Sequence, residues 1–313
     1  MEKTYHIPIM LNEALTLLRP ERGGIFIDGT LGGGGHSAGI LSHLPEGSRL
    51  FGIDRDDEAI LEAGKRLGGD PKFTAVHGNF FDMRALLSPF GISGADGIML
   101  DLGVSSHQLD DGSRGFSYMN EARLDMRMDR SQNISAFDVV NTYPTARLYD
   151  IIRYYGEERY ASRIADAITR ERQASPIETT TRLSEIIKAA MPAAARRESQ
   201  HPAKRTFQAI RIEVNGELDG LEKAITDAVG FLNPGGVIAV ITFHSLEDRV
   251  VKRVFKTLHD PCTCPPSAPI CTCGKQREID ILTNKPLTAA ESELEANPRS
   301  RSAKLRAARK LDR

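Results

Sequence analysis

Two aspartates flanking a run of glycines stand where a chain can hold a nucleoside-containing cofactor. The apolar run Gly24-Ile25-Phe26-Ile27 ends in Asp28 and turns into Gly29-Thr30-Leu31-Gly32-Gly33-Gly34-Gly35-His36, and a second apolar run, Leu50-Phe51-Gly52-Ile53, ends in Asp54. Glycine lets a backbone turn tightly and approach a ligand closely, because a Cβ there would collide or forbid the dihedrals. An acid at the tip of the second strand is placed to accept hydrogen bonds from two ribose hydroxyls. Asp28 narrows the choice of ligand. A dinucleotide would seat its pyrophosphate at this turn, where a carboxylate costs Coulomb energy. S-adenosylmethionine presents no phosphate there, only a zwitterionic amino acid and a sulfonium. The loop also departs from G-x-G-x-x-G spacing, since Thr30-Leu31 separates Gly29 from the four-glycine run. Both points favour a methyl donor.

The elements that must position these residues can be read in order. Val76-His77-Gly78-Asn79-Phe80 reads as a third strand and its exit, with Phe80 placed to lie on an adenine ring. Gly97-Ile98-Met99-Leu100-Asp101-Leu102-Gly103 reads as a fourth, with Asp101 at its carboxyl end. Leu218, Leu221, Ile225, Ala228 and Leu232 repeat at helical spacing and are stopped by Asn233-Pro234-Gly235-Gly236. The continuous apolar run from Val237 to Phe243 is short enough for a buried parallel strand. Helices alternating with such strands predict an α/β fold, a doubly wound Rossmann-like sheet with its ligand outside the carboxyl ends of the strands. Asp28, Asp54, Phe80, Asp101 and His244 then belong on one edge.

Between Asp101 and the helix leading to the fifth strand about 100 residues intervene, far more than one crossover helix needs. Helical spacing in 146–155, 160–172 and 183–191, with Ser175-Pro176 and Met191-Pro192 as stops, predicts an inserted, mainly helical substrate domain. The expected division is a first methyltransferase-type part over 1–107, the insertion over 108–203, and a second part over 204–313 ending in a basic tail. With 313 residues and 40% hydrophobic content the chain can bury a large core. No apolar run approaches the roughly 20 residues that span a bilayer, and the start lacks a signal-peptide core, so the expectation is a cytoplasmic protein with no membrane partner. A formal net charge of −1 gives no global argument for nucleic acid. Affinity for RNA must come from patches: Arg196, Arg197, His201, Lys204, Arg205 and Arg211, or the tail with Arg299, Arg301, Lys304, Arg306, Arg309, Lys310 and Arg313. The first patch, where the insertion rejoins the core, is the better placed for phosphate. The tail reads equally as a solvated basic face.

Several strings go further. Asp28-Gly29-Thr30 with Gly34-Gly35-His36, Asp101-Leu102-Gly103-Val104-Ser105-Ser106, Leu124-Asp125-Met126-Arg127-Met128-Asp129, Tyr155-Gly156-Glu157-Glu158-Arg159, the run from His201 to Ala209, and Phe243-His244-Ser245-Leu246-Glu247-Asp248 resemble those of the bacterial MraW (RsmH) methyltransferase family across nearly the whole chain. The resemblance implies an S-adenosylmethionine-dependent enzyme that modifies N4 of a cytidine in the decoding region of 16S rRNA, within the small ribosomal subunit. It places the donor contacts on Gly34, Gly35, His36, Asp54, Phe80, Asp101 and Gln108. It requires no metal.

The residues bear on that chemistry independently. Methylation of cytosine at C5 would call for a cysteine nucleophile near the fourth strand, yet all four cysteines lie between Cys262 and Cys273. An exocyclic amine needs no covalent intermediate. It needs acceptors that rehybridise its lone pair and align it with the methyl group. The loop from Asp101 to Ser106 offers a carboxylate, carbonyls and hydroxyls, which makes Asp101 and Ser105 the candidate catalytic residues. Asp101 as proton acceptor competes with Asp101 as donor ligand. For His36 the imidazole reads as a helix-start group, with its backbone by the donor. His244 reads either as a base or phosphate contact or as partner to a buried carbonyl, and Arg205 as a substrate contact. Cys262-Thr263-Cys264 and Cys271-Thr272-Cys273 form paired C-x-C motifs that fit either a structural zinc or a rigid proline-rich loop with thiols. Two other functions remain open on the residues alone: a dinucleotide oxidoreductase, weakened by Asp28, and a non-catalytic RNA-binding assembly factor.

Overall fold

The computed structural model describes residues 8–198, 200–265, 270 and 272–312. Its strands are β1 (Ile25–Asp28), β2 (Arg49–Asp54), β3 (Phe73–His77), β4 (Ala95–Asp101), β5 (Leu232–Thr242), β6 (Ile279–Ile281) and β7 (Lys304–Lys310). The helices are α1 (Leu11–Leu18), α2 (Gly35–His43), α3 (Asp57–Leu67), α4 (Met83–Leu87), α5 (Ser106–Asp110), α6 (Ala136–Thr142), α7 (Thr145–Tyr154), α8 (Ala161–Ala174), α9 (Thr180–Ala190), α10 (Lys204–Asn215), α11 (Leu221–Phe231), α12 (Ser245–His259) and α13 (Glu291–Ala296).

The chain forms two compact units, one running up to Gly103 and resuming at Asp219, the other Val104–Leu218. The first unit holds all seven strands in one sheet, ordered β3-β2-β1-β4-β5-β7-β6. β1 to β5 are parallel, while β7 runs antiparallel between β5 and β6. The order reverses between β1 and β4, which is where doubly wound sheets open a ligand crevice at the carboxyl ends of their strands. The fold is thus the expected Rossmann-like α/β sheet. Val237–Thr242 is buried at every position, which is why that stretch reads as an unbroken apolar run.

Two details differ from the sequence reading. Strand β5 starts at Leu232, paired with Ala95, and Asn233-Pro234-Gly235-Gly236 forms an irregularity in the ladder before Val237 pairs with Gly97. Those four residues stop α11 as predicted, yet the strand absorbs them. The basic tail is not a solvated extension either, because its middle is β7. Arg306, 7% exposed, donates to both oxygens of Asp248 at 2.6 and 3.3 Å, and Lys304 reaches Oδ2 at 3.3 Å. Burial acts to raise the Asp248 carboxyl, but the two cations outweigh it and hold it below the usual carboxylate range. Lys310 donates to the Val229 carbonyl at 2.8 Å. No helix among the described residues is long and apolar enough to cross a membrane.

The second unit is helical, as the spacing predicts, and carries α5 to α10. Its core includes Ile151, Ile164, Ile168, Leu183, Phe207 and Ile210. The last two belong to α10, so the structural boundary falls after Leu218 and not at 203/204. That helix sets a charged face, with Lys204, Arg205 and Arg211, against a buried stripe of Phe207, Ile210 and Val214. The Leu124–Asp129 motif is a structural clasp in this unit. Asn215, 5% exposed, accepts from Met128 N at 2.8 Å and donates to the carbonyls of Met126 at 2.8 Å and Arg211 at 2.9 Å. Asp125 grips the Arg127 guanidinium with both oxygens, at 2.7 and 2.8 Å. Asn215→Ala leaves the Met128 N–H and the Met126 carbonyl without this partner, and the expected loss is about 2 kcal/mol. It is read as faster hydrogen exchange in α10 and residues 124–129, with exchange in β1, β2 and β4 unchanged.

Candidate active site

All five parallel strands of the first unit end on one edge, and the predicted residues of that unit gather there. Asp28 closes β1, Asp54 closes β2, Phe80 follows β3, Asp101 closes β4 and His244 follows β5. The glycine turn is held to its neighbours by the backbone. Gly29 N donates to Met99 O at 2.9 Å, Leu31 N to Ile53 O at 2.9 Å, and Gly34 N to Leu31 O at 2.8 Å. Thr30, which the sequence reading passed over, accepts from Asp101 N through Oγ1 at 2.6 Å and so fastens the turn to the tip of β4.

The need for glycine here is mostly a matter of packing against protein. A Cβ on Gly29 would lie 2.5 Å from Leu100 Cδ2 and 3.1 Å from Phe80 Cβ. Gly34 caps α2 at φ 74°, in the left-handed region, and a Cβ there would sit 2.8 Å from Leu67 Cδ1. By contrast a Cβ on Gly33 would meet nothing within 4 Å, so that position is the open face of the turn. For Gly34→Ala the left-handed backbone and the Leu67 clash together give an expected loss of about 1–3 kcal/mol, visible as a lower melting temperature.

Asp28 turns inward. At 1% exposure it accepts from Ser37 Oγ at 2.8 Å and Thr30 N at 3.2 Å, so it braces the turn against α2. Burial raises its pKa, and His36, Ser37 and Thr30 act against the rise. Asp54 uses one oxygen for the glycine turn and one for its own loop: Oδ2 accepts from Gly32 N at 2.8 Å and Oδ1 from Asp56 N at 2.9 Å. Each oxygen keeps a further lone pair for another donor. Burial pushes this carboxyl up to about 6, the two backbone N–H groups opposing it.

Asp101 is different in kind. Its Oδ1 is buried with no hydrogen-bond partner among the described residues, and its Oδ2 lies 3.6 Å from His36 Nδ1. Burial pushes the carboxyl up to about 6; His36 acts to lower it, while Asp28 and Glu247 add to the rise. A buried carboxyl oxygen with nothing to accept from is costly unless a ligand donor or a cation completes it. His36 is 6% exposed, and its Nε2 lies 2.9 Å from the Ile9 carbonyl. That oxygen can only accept, so Nε2 carries the proton and Nδ1 faces Asp101. The imidazole is thus tied to Ile9 and stands beside Asp101, and is not only a residue at the start of a helix.

Phe80 opens a short turn capped by Asn79, whose side chain accepts from Phe81 N at 3.1 Å, and its ring meets that of Phe81 edge-on at 4.9 Å. His244 is committed to α12. It forms a capping box in which Nδ1 accepts from Glu247 N at 3.4 Å, and Glu247 Oε2 accepts from Phe243 N at 2.9 Å and His244 N at 3.3 Å. Its Nε2 lies 3.1 Å from Glu247 Oε1 without hydrogen-bond geometry. The Nδ1 side of the imidazole thus serves the helix start, while Nε2 has no hydrogen-bond partner among the described residues.

The remaining candidates belong to the helical unit. Ser105 and Gln108 close a reciprocal pair at the start of α5: Ser105 N donates to Gln108 Oε1 at 3.0 Å and Gln108 N to Ser105 Oγ at 3.2 Å. Arg205 donates to the Glu157 carbonyl at 3.2 Å. Within its patch, Arg211 is held by both oxygens of Glu217 at 2.8 and 2.9 Å, and the His201 ring stacks on Tyr118 at 4.5 Å. Cys262, Cys264 and Cys273 lie between α12 and β6, whereas Cys271 is outside the described residues.

A Rossmann-like α/β protein with acids at the tips of β1, β2 and β4 is the class that this fold and edge define. The family model described as the MraW methylase family matches residues 3–311. A Clostridium botulinum (strain Kyoto / Type A2) protein named Ribosomal RNA small subunit methyltransferase H is 53% identical over 306 residues, 98% of this chain and 99% of its own length. A protein of the same name from Brevibacillus brevis is 50% identical over 308 residues, 98% of each. Among solved structures, an rRNA methylase from Streptococcus thermophilus aligns over 96% of this chain and 94% of its own at 11% identity and a TM-score of 0.40. On the family model and the sequence relatives, the chain belongs to the MraW methylase family and is a methyltransferase.

Proposed function

We propose that the protein transfers a methyl group from S-adenosylmethionine to the exocyclic N4 of a cytidine in the decoding region of 16S rRNA, within the small ribosomal subunit. Relatives named as small-subunit rRNA methyltransferases support the RNA substrate. The observation that carries the donor reading is the buried, unpartnered Oδ1 of Asp101 beside the glycine turn and Asp54. A cationic, hydrogen-bond-donating ligand meets that need, and a pyrophosphate does not.

Bound S-adenosylmethionine supplies an electrophilic methyl on a sulfonium. Asp54 accepts from the two ribose hydroxyls through the lone pairs that Gly32 and Asp56 leave open. Phe80 offers a ring face to the adenine, and the backbone at Gly33, Gly34 and Gly35 lies along the amino-acid end. Asp101, beside His36, would accept from the donor's ammonium. The carbonyls of the following loop and the Ser105 hydroxyl accept the N4–H bonds of the cytosine, which turns the nitrogen lone pair toward the methyl. With the donor bound, methyl transfer would leave a surplus proton on N4, which an acceptor of this loop or water would take up. Arg205, with Arg197 and Lys204, contacts phosphate.

Incubation with isotopically labelled donor and either small subunits or naked 16S rRNA, followed by digestion to nucleosides, tests the reading. The expected label is in N4-methylcytidine, with subunits as the better acceptor. Label in 5-methylcytidine, or none in any nucleoside, overturns it.

A further inference from the structure

The sharpest feature that methyl transfer leaves unused is the cysteine cluster. The Sγ atoms of Cys262, Cys264 and Cys273 all lie within 4.8 Å of one another, and those of Cys262 and Cys273 are 3.9 Å apart. A disulfide requires about 2.05 Å. Thiolates around one tetrahedral zinc, each about 2.3 Å from the metal, stand about 3.8 Å from each other. The 3.9 Å separation excludes a disulfide and matches the sulfur–sulfur edge of such a site. Thr272 N donates to Cys264 Sγ at 3.3 Å. A backbone N–H aimed at sulfur stabilises the thiolate that a metal needs.

Between Pro261 and Arg277 no described residue is buried, and Ile270 is 74% exposed. At its base Glu278 N donates to Leu258 O at 2.8 Å and the His259 ring meets the Ile279 carbonyl at 3.1 Å. Residues that bury so little must draw their ordering free energy from another source, and metal ligation is one that small coreless segments use.

From this geometry we infer that Cys262, Cys264 and Cys273 bind a thiophilic divalent cation, zinc foremost, as a structural staple. Soft thiolate donors select such metals over magnesium or calcium. On binding, each thiol gives its proton to solvent and its sulfur lone pair to the metal, with no change of oxidation state. The site is remote from the reaction. Helix α12 starts at the carboxyl end of β5 and runs back, so its last residue, His259, and the start of β6 lie at the opposite edge of the sheet from Asp54 and Asp101. The metal fixes the turn from α12 into β6 and takes no part in methyl transfer.

The test titrates cobalt(II) into chelator-treated full-length protein. One equivalent should give thiolate charge-transfer absorption in the near ultraviolet with tetrahedral visible bands, both removed by zinc. Cys262→Ser and Cys273→Ser should weaken cobalt binding about a hundredfold or more, while S-adenosylmethionine affinity measured by calorimetry stays within twofold. Zinc should also slow alkylation of these cysteines in the unaltered protein, a readout that does not depend on a variant folding. Absence of the charge-transfer band, or alkylation at the same rate with and without zinc, overturns the inference. So does recovery of these thiols as a disulfide after purification under reducing conditions.

Discussion

Replacing Asp54 by alanine should lower the affinity for S-adenosylmethionine by at least a hundredfold and abolish methylation at physiological donor concentration. Two ribose hydroxyls donating to an ionised carboxylate are worth about 1.5–3 kcal/mol each. The variant loses both. It also strips Gly32 N and Asp56 N of their acceptor, so the open part of the glycine turn loses its anchor to β2. Two effects therefore reinforce one another, and calorimetry with the donor measures the sum. Asp54→Asn separates them, because its amide oxygen still accepts one of the two backbone bonds. It should recover the melting temperature more fully than the affinity. Equal donor affinity in Asp54→Ala and the unaltered protein would remove this residue from the donor site and leave it as a clasp of the turn.

How far such a site could be read from the chain differs between its two halves. Acids at strand tips are legible because a parallel strand reads as an apolar run and its carboxyl end is the next polar residue. Asp28, Asp54 and Asp101 were found in this way. Their division of labour was not legible, since it depends on which groups face each carboxylate across the fold. Ser37 and Thr30 satisfy Asp28, Gly32 and Asp56 occupy half of Asp54, and one oxygen of Asp101 is left unpartnered among the described residues. His244 shows the same limit. Its position after β5 pointed to the edge, but the Glu three residues on is a capping-box signal, and that signal was available in His244-Ser245-Leu246-Glu247.

The sheet was legible up to β5 and not beyond it. β1, β2, β4 and β5 are buried apolar runs, whereas β7 spells Lys-Leu-Arg-Ala-Ala-Arg-Lys. Three of its four cations meet partners distant in sequence: Lys304 and Arg306 at Asp248, and Lys310 at carbonyls at the end of α11. A buried ion pair cannot be seen from one of its members, so a strand built on one reads as a charged tail. The boundary at α10 was misplaced for a related reason. That helix sets a cationic face against an apolar one, and the apolar stripe decides where it packs.

Asp101→Asn should act in opposite directions on the empty and the loaded protein. Burial raises the Asp101 and Asp54 carboxyls from 3.8 to about 6. From about pH 4 to 6 the folded chain therefore binds more protons than the unfolded chain, so these two groups make folding less favourable as pH rises through that window. Above about pH 6 both are ionised in the fold and the full penalty stands. Asparagine removes the Asp101 share of it. Because Oδ1 has no bond to lose and Oδ2 stands 3.6 Å from His36, the ligand-free variant should melt higher at pH 7.5 than the unaltered protein. The loaded state reverses the sign, since a cationic donor favours the ionised carboxylate and loses that attraction in the variant. Donor affinity should fall about tenfold or more at pH 7.5, in keeping with a charged hydrogen bond of about 1.5–3 kcal/mol. In the unaltered protein, affinity should weaken as pH falls through about 6, steeply, because two carboxyls take up protons there. In Asp101→Asn the same limb should be shallower, with only Asp54 left to titrate. A variant with unchanged donor affinity, an unaltered pH limb and a slowed single-turnover methyl transfer would instead assign Asp101 to the cytosine amine.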